Sequence, residues 1–123
     1  MDFKELLAYK KSFELAMEIF ELSKTFPKEE RFSLTDQVRR SSRSVAANIA
    51  ESYRKRRYTN HFISKLTDSD AENSETNTLL QFSLECQYIS KETFDRLNIK
   101  NLEVGRLINY MINNPSKFGC SQN

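Results

Sequence analysis

Gln37, Arg40, Ser44, Asn48 and Glu51 recur at intervals of three and four residues, so on a helix they form one polar stripe. A serine, a carboxylate and a guanidinium on one face invite a test for nucleophilic or acid–base chemistry. Such chemistry needs a base positioned beside the serine or a second carboxylate near Glu51, and the spacing supplies neither. The neighbouring lines of the helix are apolar or small, which predicts that the stripe is at least partly covered. Polar groups in that setting must bond to one another or cost about 1–3 kcal/mol each. Glu72 and Glu75, farther along the chain, are the expected partners of Arg40, with Thr76 able to join. The stripe therefore reads as a register-fixing hydrogen-bond network with no catalytic residue.

A second group is the run Arg54-Lys55-Arg56-Arg57. Four consecutive bases point all around a helix end, where the dipole favours cations. Phosphate contact is the chemistry they suit, with Arg39, Arg43 and Lys65 contributing charge and Tyr53, Tyr58 and His61 close enough to stack. From Arg39 to Lys65 eight bases stand against the one acid Glu51, whereas Leu66 to Ser90 holds five acids and no base. Two antiparallel helices with that pattern can also neutralise each other, which is the competing structural explanation.

The elements that must position these residues read as helices. Phe3 to Thr25 carries Leu6, Phe13, Met17 and Phe20 at helical spacing, with Tyr9, Ala16 and Ile19 widening the stripe, and Phe26-Pro27-Lys28 ends it. Ser33 is the expected N-cap of a second helix that runs to about Arg57, with Val38, Val45 and Ile49 on one line. A third spans about Thr59 to Tyr88, with a polar middle that admits a break near Asn73-Ser74. A fourth covers about Lys91 to Asn113 and stops at Asn113-Asn114-Pro115. Short connections predict an all-α, antiparallel up-and-down four-helix bundle, with residues 1–114 as a single domain and 115–123 as a flexible tail.

Composition removes many alternatives. Of 123 residues two are glycine, Gly105 and Gly119, so no Gly-rich phosphate loop exists. His61, Cys86 and Cys120 make no metal-ligand set, and no cofactor or metal is expected. The opening Met1-Asp2-Phe3-Lys4-Glu5 lacks a basic n-region and an apolar h-region, and apolar runs fall far short of the roughly 20 residues a membrane span needs. The expectation is a cytoplasmic protein without membrane contact. The net charge of +2 does not by itself imply a polyanionic partner.

The stretch Leu34 to Glu51, LTDQVRRSSRSVAANIAE, resembles the signature of the bacterial four-helix bundle protein family, whose founding members are encoded in intervening sequences of large-subunit ribosomal RNA genes. Phe26 to Glu30, Ala71 to Thr76 and Cys86 to Ile89 fit the same pattern in the same order. One departure is Ser52, where the family usually has glycine. The resemblance implies an antiparallel four-helix bundle that assembles as a homopentameric ring. It also implies kinship with retroelement accessory factors whose basic surfaces bind nucleic acid. It assigns no activity to Gln37, Arg40, Ser44, Asn48 or Glu51.

Together these readings predict a non-enzymatic homo-oligomer that binds RNA or DNA backbone through Arg54, Lys55, Arg56 and Arg57, assisted by Arg39, Arg43 and Lys65. The alternative is a homo-oligomeric scaffold that recruits a protein partner and binds no nucleic acid.

Overall fold

The computed structural model describes residues 2–121, and all its regular elements are helical. Four α-helices form a bundle: α1 Leu7–Ser23, α2 Leu34–Arg54, α3 Thr59–Glu85 and α4 Lys91–Asn113. Each packs on its neighbour in the chain, and α4 closes the ring against α1. Val38, Ile49, Phe62, Leu66, Leu97, Val104 and Ile108 are fully enclosed at the centre. No helix among the described residues is long and apolar enough to cross a membrane.

The first helix starts later than its apolar spacing suggested. Asp2 and Glu5 form a reciprocal capping box around a single 3-10 turn at Phe3–Glu5, and extended Leu6 then separates it from α1. Of the expected stripe, Leu6, Ala16 and Ile19 are buried, and Ala8, Ser12 and Leu15 complete the core face. Phe13 and Met17 are 50% and 46% exposed. Small side chains win the inner face because they let α2, with its own Ser41, Ser42 and Ala46, approach closely.

Ser33 stands at the start of α2 but does not cap it with its side chain. Glu30 takes that role: its Oε1 accepts from the Ser33 hydroxyl at 2.6 Å and the Leu34 amide at 3.4 Å, while Oε2 accepts from Tyr88 Oη at 2.8 Å. These bonds hold the Glu30 carboxyl below its ordinary pKa. The same contact, aided by burial, pushes the Tyr88 phenol up to about 12. At the other end α2 stops at Arg54, three residues short of the expected boundary, and Lys55 to Arg57 form a turn. Ser52 is fully buried inside the helix, its hydroxyl donating to the Ile49 carbonyl at 2.7 Å, so the chain passes this position without a break.

Helix α3 is continuous through Asn73-Ser74. It ends before the expected Tyr88 in a Schellman turn, with the Gln87 amide bonded to the Leu84 carbonyl and the Tyr88 amide to the Ser83 carbonyl, both at 2.9 Å. Gln87 occupies the left-handed position at φ 64°, where glycine normally sits, and the missing glycine is why the stop was illegible in sequence. Gln87→Gly should stabilise the protein by about 0.5–1 kcal/mol, read as a higher midpoint in thermal unfolding.

Residues 115–121 are not the flexible tail expected for 115–123. They fold back as a 3-10 turn, Pro115–Phe118, with Phe118 stacked on Phe62 at 6.5 Å between centroids and Cys120 buried. The apolar pull of Phe118 and Cys120 explains the docking, since both fill the end of the core. Residues 122 and 123 lie outside the described residues.

Candidate nucleic-acid interface

The α2 C-terminus and the turn after it carry the basic run, and the local geometry divides its members. Arg54, Lys55 and Arg57 are exposed and form no ion pair among the described residues. Arg56 is turned inward. Its Nε donates to the Tyr53 carbonyl at 2.7 Å, and the guanidinium carbon sits 3.5 Å from the centre of the Tyr53 ring. Gly119, at φ 96°, lets the fold-back pass beside it, since a Cβ there would stand 3.1 Å from Arg56 Nη1. Arg56 is thus a structural residue rather than a free phosphate contact.

The auxiliary bases are also partly committed. Arg39 donates from Nε to Ser23 Oγ at 2.7 Å and lies 4.8 Å from the Phe20 ring centre, and Arg43 lies 5.6 Å from the same ring. These contacts fix both arginines on the outer α1–α2 face. Arg43 and Arg54 fall on nearly one line of α2, roughly 16 Å apart along its axis. Lys65 pairs with Glu51 at 2.9 Å, and that hydrogen-bonded carboxylate raises the Lys65 pKa, so the ammonium stays charged but is committed to an ion pair.

The polar stripe does not enter the core. Gln37, Arg40, Ser44, Glu72 and Glu75 line an outer cleft of about 300 Å³ between α2 and α3. Asn48 Nδ2 donates to the Ser44 carbonyl at 3.0 Å and its hydroxyl at 3.1 Å, so this pair bonds within its own helix. Arg40 attracts Glu72 electrostatically but forms no ion pair with it among the described residues, and Thr76 bonds to Ser41 instead at 2.8 Å. The expected network linking Arg40 to both glutamates is therefore replaced by separate contacts. The reason is steric: apolar Val38, Val45 and Ile49 take the inner line and leave the longer polar side chains the groove mouth.

Burial and the adjacent Glu75 carboxylate raise the Glu72 pKa, with Arg40 acting in the opposite direction. The folded state thus favours the protonated acid, and this contribution to stability is lost as pH rises from the ordinary carboxylate range through the raised value. Glu72→Gln should stabilise the protein at pH 7 by about 0.3–0.5 kcal/mol, the size of a removed like-charge helix pair. It should also flatten the decline in unfolding midpoint between pH 4 and 7.

A different polar network holds the interior. Asn101 Nδ2 donates to Asn73 Oδ1 at 2.9 Å and to the Asn73 carbonyl at 3.1 Å, and Asn73 Nδ2 returns a bond to the Asn101 carbonyl at 3.0 Å. Asn77 Nδ2 extends the ladder to Asn98 Oδ1 at 2.7 Å and Asn101 Oδ1 at 2.8 Å. Ser69 Oγ reaches the Val45 carbonyl at 2.8 Å. The spacing of Asn73 with Asn77 and of Asn98 with Asn101 was a visible signal of facing polar positions.

Of the basic run Arg57 lines an open cleft of about 870 Å³ whose walls also include Tyr58, His61, Pro115 and Ser121. No curated protein matches the chain. A solved structure of a protein of unknown function from the S23 ribosomal protein family of Bacteroides thetaiotaomicron is similar to it, at 29% identity and a TM-score of 0.78. The alignment covers 87% of this chain and 96% of that one. The model of the 23S rRNA-intervening sequence protein family matches residues 4–110, and the chain belongs to that family.

Proposed function

We propose that this protein is a non-enzymatic, cytoplasmic homo-oligomer, a pentamer by family resemblance, that binds the phosphate backbone of RNA or DNA. The observation that carries this reading is that Arg54, Lys55 and Arg57 are exposed together at the end of α2 and in the turn after it and form no ion pair among the described residues, while the acids of α3, from Asp68 to Glu85, lie farther along that helix. The α2–α3 ion pair that does form, Lys65 with Glu51, leaves these three bases outside it. Backbone binding needs several bases on one surface and no base-reading geometry. Repetition of a modest patch around an oligomer supplies avidity despite a net charge of +2.

The test is binding of the purified protein to single- and double-stranded RNA and DNA across a salt series, with mass determined on the same sample. Affinity should fall steeply with salt, at about 0.7–0.9 logarithmic units per phosphate contacted. Absence of binding at low salt overturns the reading. An oligomer that fails to bind would favour a scaffold, for which the outward-facing Phe13 and Met17 beside Leu22 on α1 provide an apolar docking face.

A further inference from the structure

Tyr58 is 57% exposed and projects at the mouth of the 870 Å³ cleft, where a tyrosine has no packing role to fill. Its ring centre lies 5.4 Å from that of His61 and 5.8 Å from the Arg57 guanidinium. A cation, a phenol and an imidazole are therefore grouped along one wall of the cleft. Opposite them the wall is small and neutral, formed by Pro115, Ser116 and Ser121.

We propose that this cleft is a subsite for one unpaired nucleotide of a single strand, a reading that rests on the phosphate-binding function proposed above. The base lies against Tyr58 and His61, its phosphate meets Arg57, and the strand continues toward Lys55 and Arg54. Aromatic faces accept any base, which suits a surface with no base-reading groups. The cleft has the volume of a small-molecule site, so it admits a single nucleotide, whereas a duplex keeps its bases stacked inside and cannot present one.

The walls are joined firmly enough to keep that shape. Thr59 Oγ1 donates to the Ser121 carbonyl at 3.1 Å, Phe118 stacks on Phe62, and Arg56 packs beside Gly119. The first wall lies within the 4–110 span of the family match and the second comes from residues beyond it.

His61 is the single histidine, which makes its ring protons an unambiguous NMR probe. Titration with the 5′-phosphorylated dinucleotide of thymidine should move them upfield saturably, and inorganic phosphate at equal concentration should not. Tyr58→Ala removes the stacking face, and Ser116→Phe fills the cleft from an exposed position without touching the core. Each should weaken dinucleotide binding about tenfold or more, while the salt dependence of a long oligothymidylate persists. An equal shift with inorganic phosphate, or undiminished dinucleotide affinity in Ser116→Phe, overturns the subsite. If the long strand binds and the dinucleotide leaves His61 unmoved, the subsite falls alone. If the long strand does not bind, the phosphate-binding reading falls with it.

Discussion

Replacing Arg54, Lys55 and Arg57 together by glutamate should lower affinity for a single strand at low salt by about a hundredfold or more. The slope of log affinity against log salt should also shrink by about 2, since each lost phosphate contact removes about 0.7. These residues are exposed and make no ion pair among the described residues, so the fold has little stake in their charge. Reversal at a helix C-terminus still costs about 0.3–1 kcal/mol at Arg54, and the triple glutamine variant separates that effect from binding. Arg56 supplies the contrast within the same run. Arg56→Gln loses the bond to the Tyr53 carbonyl and the stack on its ring, so it should lower stability by about 1–2 kcal/mol and leave the salt slope intact. Unchanged affinity in the triple glutamate variant, with the bundle still folded by circular dichroism, would remove these bases from the binding surface.

The largest effect on stability is expected at the asparagine ladder. Asn101→Ala withdraws two donors and an acceptor from a buried junction, leaving Asn73 Oδ1 without its partner and a gap between α3 and α4. The unsatisfied amide and the gap should together cost about 2–4 kcal/mol. Gly105 makes the junction harder to repair, because a Cβ there would stand 3.3 Å from Asn73 Nδ2. Asn73→Ala in the same background should add much less than it costs alone, with a coupling of about 1 kcal/mol or more in denaturant unfolding. Additive costs would mean that the two asparagines act independently.

The ladder also marks where the sequence became hard to read. Helical period and two prolines were enough for four helices, because Val38, Val45 and Ile49 on α2 keep their line in the folded chain. On α1 the apolar spacing finds Leu6, Ala16 and Ile19 on the inner face but also places Phe13 and Met17 there, which are large and apolar yet point outward while Ala8 and Ser12 turn in. Hydrophobicity ranks side chains by size, whereas two closely packed helices select for small ones. The polar middle of α3 resembled a break because each polar residue was weighed alone. Its partner on α4 restores the balance, and the spacing of the asparagines shows a polar line on each helix without showing that the two lines meet.

The candidate site was half legible for a related reason. A run of four bases is visible in any sequence, but its division into three outward members and one inward member depends on Tyr53 and Gly119. Gly119 is remote from the run along the chain. Likewise the last eight residues are mostly polar, and their docking follows from Phe118 meeting Phe62. Contacts between distant segments decide both questions.

That docking has a consequence for the order of events during synthesis. Residues 115–121 leave the ribosome after all four helices of the bundle, yet they supply Gly119 beside Arg56 and one wall of the Tyr58 cleft. A nascent chain therefore displays its basic turn before it owns the surface that shapes it. Shape at this end of the molecule arrives last, after the charge of the basic turn is already in place.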